Sequence, residues 1–135
     1  GRVDIAAELG CKNSWEPLLY ARSRIVHAAA SNGLDAIDVP YLDLEDMDGM
    51  IKEAELVRDL GFSGKGSIHP KQIPPLNEVF TPDQGTIRYA KTVVDAFKEA
   101  DTGLVVLDGK LIEKPIIRHM ERVLAISSKL SKNNI

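Results

Sequence analysis

The stretch Gly61-Phe-Ser-Gly-Lys-Gly-Ser-Ile-His-Pro-Lys-Gln-Ile73 leaves the chain little choice of fold. Gly61 ends a helical pattern, Gly64 to Ile68 are small or apolar and predict a short buried strand, and His69-Pro70 stops that strand before Lys71-Gln72-Ile73 opens another turn. A helix, a very short strand and a helix in so few residues predict an α/β unit with a parallel strand. Ala36-Ile-Asp-Val-Pro-Tyr-Leu42 has the same character, with Pro40 at a strand end or bulge because proline cannot donate to a ladder. Two such units in tandem predict part of a barrel or a doubly wound sheet.

Between these strands the periodicity is helical. Leu18, Ala21, Ile25, Val26 and Ala29 recur at spacings of three and four, predicting a helix over residues 18–31 with Arg22 and Arg24 off its apolar stripe and Asn32-Gly33 as its stop. Asp46 or Asp48 caps a helix running to Leu60, with Ile51, Ala54, Val57 and Leu60 inward. Beyond a short helical or irregular segment at 74–80, Thr81-Pro82-Asp83-Gln84 predicts a helix start with Thr81 as cap. Asp108-Gly109 between two apolar runs predicts a hairpin, and Pro115 opens a final amphipathic helix with Ile116, Met120, Val123 and Leu124 inward. Gly1-Arg-Val-Asp4 reads as the tail of a strand already under way, with Asp4 at its end, where active sites of parallel α/β proteins gather.

Composition bounds the function classes. A net charge of −3 shows no nucleic-acid or anionic-membrane footprint. No apolar run reaches the roughly 18 residues of a membrane-spanning helix, and no signal-peptide pattern is present. The lone Cys11 excludes an internal disulfide framework and predicts a reducing compartment, the cytoplasm or an organelle matrix. The chain has 135 residues and starts at Gly1, whereas a (β/α)8 barrel takes about 250. The expectation is therefore the C-terminal part of a longer chain, with residues 1–80 forming the last strands and helices of the barrel and 81–135 a helix-hairpin-helix module.

Few motifs carry chemistry unaided. Gly64-Lys65-Gly66 fails as a phosphate loop, because Asp59 stands at the first glycine position and Gly66 at the Ser/Thr position, although Lys65 could still approach a phosphate or pantetheine. The acidic loop Asp43–Asp48 fails as a calcium loop, because Leu44 takes the first ligand position. His27, His69 and His119 lack paired metal spacing; His69 either hydrogen-bonds locally or faces a site at a strand end. On spacing alone, Asp4 is a helix cap or a metal ligand.

Nearly the whole chain resembles the citrate lyase beta-subunit-like and malyl-CoA lyase group of CoA-ester lyases within the HpcH/HpaI aldolases. "GRVDIAAELG" is similar to that group's "fGxxDxxxxLG", "YARSRIVHAAASNGLDAIDVPYLDLEDMDGM" to its helix, strand and acidic loop, "LGFSGKGSIHPKQIPPLNEVFTP" to its last barrel strand, and "GLVVLDGKLIEKP" to its C-terminal hairpin. The resemblance implies a TIM barrel and Mg²⁺-dependent cleavage of a 3-hydroxyacyl-CoA of the citryl-CoA or malyl-CoA type, giving acetyl-CoA or an analogue and an oxo-acid. It implies that Asp4 is one of two acidic metal ligands and that the other ligand, a glutamate, and a substrate-binding arginine lie upstream of Gly1. It implies a homo-oligomer, in which the C-terminal module of one subunit closes the site of the next. Malyl-CoA-type relatives carry a catalytic aspartate in that module; here Glu113 stands instead, longer by one C–C bond, about 1.5 Å, and it could equally cap the last helix. CoA-contacting residues are not identifiable. Thioester hydrolysis on the same scaffold and a purely assembling piece remain the rivals, and the 135 residues alone are expected to be inactive.

Overall fold

The computed structural model describes residues 1–100 and 104–133. The chain divides into two compact units, Gly1–Phe80 and Thr81–Ile135. The first contains α1 (Arg2–Leu9), α2 (Trp15–Ser31), β1 (Ile37–Asp38), α3 (Met47–Leu60), β2 (Gly64–Lys65), a 3-10 turn (Pro70–Gln72) and α4 (Ile73–Phe80). The second contains α5 (Gln84–Glu99), β3 (Val105–Leu107), β4 (Lys110–Ile112) and α6 (Lys114–Asn133).

The first unit is the predicted α/β element. β1 and β2 are parallel, with Ile37 opposite Gly64 and Asp38 opposite Lys65. A parallel pair needs a crossover, and α3 supplies it. Asp46 starts α3 by accepting the Gly49 amide at 2.9 Å, and Gly61 ends it at φ 113°, a conformation that side chains resist. Val57 and Ala54 are fully buried. Val57 packs with Ala36 and Phe62 against Trp15, Val26, Ala29, Leu60 and Phe80. Ala54, Met50 and Leu76 form a second cluster with Tyr41, Met47, Ile51, Val79 and Phe80. Burying a side chain the size of Val57 or Met50 contributes about 1.5–3 kcal/mol. The opposite face of the strand pair is open: Ile37 is 61% exposed.

Several expectations are corrected. Residues 2–4 begin a helix, not the end of a strand. They pair with neither strand of the two-stranded parallel sheet; their backbone groups are satisfied locally instead, the Gly1 carbonyl accepting from the Ile5 amide at 3.1 Å and the Ala6 and Ala7 carbonyls from the Cys11 and Gly10 amides. The strands expected over 36–42 and 64–68 shrink to two residues each. Pro40 has no N–H to give, and the Ile68 amide goes to the Gln72 side chain instead of a neighbouring strand. Along α2 the buried stripe carries Leu18 and Arg22, while Ile25 is 47% exposed. Asp83, not Thr81, caps α5, accepting the Thr86 amide at 2.7 Å.

The second unit follows the predicted hairpin. Leu107 pairs with Lys110, and both turn residues take positive φ, Asp108 at 48° and Gly109 at 74°, the mirror-image turn whose twist suits two strands. Val93, Ile112 and Ile117 form its core with Phe97, Val105, Leu107, Ile116 and Met120.

Candidate functional site

Asp38 and Lys65 end two adjacent parallel strands, opposite each other on the helix-facing side of the pair. Lys65 Nζ is fully buried and donates to Asp38 Oδ2 at 2.6 Å, Glu53 Oε1 at 2.7 Å and the Val39 carbonyl at 2.8 Å. Arg22, from α2, donates to Asp38 through Nε at 3.3 Å and Nη2 at 3.5 Å, and its guanidinium lies 4.9 Å from the Trp15 ring centroid. Arg2, from α1, bonds both Glu53 oxygens, at 2.8 and 2.7 Å. The cluster thus joins three cations, Arg2, Arg22 and Lys65, to two carboxylates, Asp38 and Glu53. Burial pushes the Asp38 carboxyl up, but Lys65 and then Arg22 outweigh it together and hold it below its ordinary value. Arg22 Nη1 is buried without a hydrogen-bond partner. With all its donors engaged, Lys65 cannot reach a phosphate or pantetheine; its work is inside the fold.

The loops after the two strands are built on the same side. Tyr41 Oη donates to Asp46 Oδ2 at 2.7 Å; that bond to a carboxylate, with burial and further acidic neighbours, pushes the phenol up to about 12 and draws Asp46 down. A Cβ at Gly49 would come within 3 Å of both the Asp46 carboxylate and the Tyr41 hydroxyl. His69 Nδ1 accepts the Lys71 amide at 3.1 Å, which fixes the local turn. Gln72, 1% exposed, bonds the Tyr41 carbonyl and the Ile68 amide, each at 3.0 Å.

Asp4 lies on the first turn of α1. Its side chain is 76% exposed and accepts from the Gly1 ammonium at 2.6 Å, which holds the carboxyl below its ordinary value. Glu113 lies in the other unit, immediately before α6, where its carbonyl accepts the Ile116 and Ile117 amides at 2.9 and 3.2 Å. With Leu104, Lys114 and Pro115 it lines a shallow hollow of about 340 Å³. No cluster of three or more His, Cys, Asp or Glu suited to a metal occurs among the described residues. Cys11 is a free, partly exposed thiol. Among the described residues no helix is long and apolar enough to cross a membrane.

The HpcH/HpaI aldolase/citrate lyase family model matches residues 1–70, which hold both parallel strands and the whole ionic cluster. The chain belongs to this family. Within it, the citrate lyase subunit beta of Haemophilus influenzae is 41% identical across 92% of this chain and 44% of that protein. The mitochondrial citramalyl-CoA lyase of Rattus norvegicus is 33% identical across 98% of this chain and 40% of that protein. The fold is similar to the crystal structure of CitE from Mycobacterium tuberculosis in complex with magnesium, acetoacetate and coenzyme A, with a TM-score of 0.77 and 27% identity over 91% of this chain and 48% of that one. The chain spans about two fifths of the length of the curated relatives it matches.

In this HpcH/HpaI-family chain, sequence reasoning singles out Lys65 but not its partners in the buried cluster, Arg2, Arg22, Asp38 and Glu53. Arg22 was placed off the helix stripe on periodicity, which treats every arginine as a surface residue. The signal was available in Asp38 and Lys65, charged residues inside two otherwise apolar strands, which require buried partners of opposite sign.

Proposed function

We propose that this chain forms the closing strands and helices of a (β/α)8 barrel, together with its C-terminal module, in a magnesium-dependent lyase of CoA esters. The observation that carries the reading is the β1–α3–β2 parallel unit lying within the family-matched residues. The substrate is a 3-hydroxyacyl-CoA of the citryl-CoA or malyl-CoA type, and the products are acetyl-CoA or an analogue and an oxo-acid.

Asp4 offers the right donor chemistry for the metal, since an exposed carboxylate is the kind of oxygen ligand that magnesium takes alongside water. Its partner here is the Gly1 ammonium; in a chain continued upstream that nitrogen is a peptide and leaves the carboxylate open. The remaining ligands come from upstream strands. The chemistry magnesium supplies when bound is polarisation of the oxygen that becomes the ketone.

In the cleavage, Glu113 of the partner subunit, as a carboxylate, takes the proton of the substrate hydroxyl, the carbon–carbon bond breaks, and its electron pair passes to the thioester side as an enolate. The carboxylic acid so formed then returns that proton to the enolate carbon. The Asp38–Lys65–Glu53 cluster takes no proton in this scheme and holds the two strand ends together.

The test is the full-length protein that contains this chain, incubated with citryl-CoA or malyl-CoA and magnesium. Appearance of an oxo-acid together with a shorter acyl-CoA supports the lyase, while release of free CoA thiol alone replaces it with a thioesterase. Asp4→Ala is expected to abolish metal-dependent turnover, and retained activity removes Asp4 from the site.

A further inference from the structure

Resting on the function proposed above, we propose that Gln72 is a positioning residue for the acyl-CoA ligand, holding the loops after β1 and β2 at one fixed separation. The glutamine is 1% exposed, yet its side chain reaches none of the apolar core with a polar atom. Among the described residues, the hydrogen bonds of its side chain go to loops. Nε2 donates to the Tyr41 carbonyl, 31 residues away, at 3.0 Å. Oε1 accepts the Ile68 amide at 3.0 Å and the Ser67 hydroxyl at 3.2 Å. One amide group therefore ties the loop leaving β1 to the loop leaving β2.

Three further contacts hold this region together, one from the end of β2 and two between the loops. Lys65 Nζ donates to the Val39 carbonyl at 2.8 Å. A Cβ at Gly66 would meet Pro40 Cγ at 3.1 Å, so the loops lie close there and a side chain would have to push Pro40 aside. At the rim, Lys71 pairs with Glu45 at 3.3 Å. Gln72 spans two loops at the C-terminal ends of parallel strands, the end at which such sheets bind ligands.

A fixed rim binds without an ordering cost, and a loosened rim must be ordered at the moment of binding. In the full chain, Gln72→Glu keeps the acceptor for Ile68 and Ser67, removes the donor to Tyr41 and sets a carboxylate oxygen against that carbonyl. Ser67→Ala leaves the Gln72 amide intact, removes the hydroxyl's bond to Gln72 together with its bonds to the His69 carbonyl and amide, and serves if Gln72→Glu does not fold. Coenzyme A binding is measured by calorimetry, with folding of each variant checked by circular dichroism. The expected result is binding weakened by about tenfold in Gln72→Glu and about twofold in Ser67→Ala, with magnesium affinity unchanged. A folded Gln72→Glu, or failing that Ser67→Ala, that binds coenzyme A as the wild type does overturns this inference and leaves the proposed function standing. A wild type that binds no coenzyme A overturns the proposed function and this inference with it.

Discussion

Asp38→Asn should destabilise the first unit more than Lys65→Met, although Lys65 makes the shorter bonds. The wild-type cluster sets three cations against two carboxylates. Asparagine preserves the shape of Asp38 but leaves Arg2, Arg22 and Lys65 facing Glu53 alone. Lys65 loses its charged acceptor at 2.6 Å, and Arg22, whose Nη1 already has no partner, loses the charge opposite its other nitrogens. Breaking a buried ionic set by removing one member costs about 3–5 kcal/mol. Lys65→Met leaves two cations with two carboxylates and an apolar chain in the vacated space. Its main cost is the lost bonds to the Val39 carbonyl and the carboxylates, about 1.5–3 kcal/mol. Urea unfolding at neutral pH, followed by circular dichroism on the full chain, measures both. A loss of 3 kcal/mol also lowers Tm by about 6 °C or more. The depressed Asp38 carboxyl sets the pH dependence. Its contribution is fully present above its unfolded value, close to the ordinary 3.8, and is lost as pH falls through the lower folded value. The gap between wild type and Asp38→Asn should therefore close below pH 3.8. Equal losses for the two variants, a greater loss for Lys65→Met, or an Asp38→Asn midpoint matching wild type would refute the charge arithmetic.

Three other outcomes are expected. Glu113→Gln in the full chain should lower turnover by about 10²-fold or more, the scale of a general acid's contribution, with magnesium affinity unchanged; an unchanged rate leaves Glu113 with only its carbonyl's part in starting α6. In a spectrophotometric titration, Tyr41 should ionise near 12, and Tyr41→Phe should delete that late phase; the stability its raised value confers is present below 10 and lost as pH rises through 12. Gly49→Ala should separate Tyr41 from Asp46, visible as loss of the same late phase and a Tm lower by several degrees.

How much of this was legible depends on which force places each element. The hairpin at Asp108-Gly109 is dictated within four residues, and its register follows the sequence. The stop at Gly61 and the cap at Asp46 are equally local, and both stand in the structure. Asp83 displaced Thr81 as the cap of α5 because either could accept, and geometry chose. Arg22 escaped because its burial depends on Asp38, 16 residues on, and on a strand pairing that periodicity does not contain. Gln72 could be placed next to a turn but not between two loops, since its partner carbonyl is set by the parallel register of β1 and β2. Asp4 and Glu113 came from resemblance, and the structure places them in separate units.

The ionic knot beneath the two strands also has a place in the folding reaction. Its members come from α1, α2, β1, α3 and β2, and its bonds join residues 16, 27 and 51 apart. Loops of that length close late, after local helices have formed, because entropy is lost before any bond is gained. None of the five charges can be desolvated alone at tolerable cost, so the knot ties in one cooperative event near the native side of the barrier. Changes within it should then leave the refolding rate nearly untouched and speed the escape from the native state.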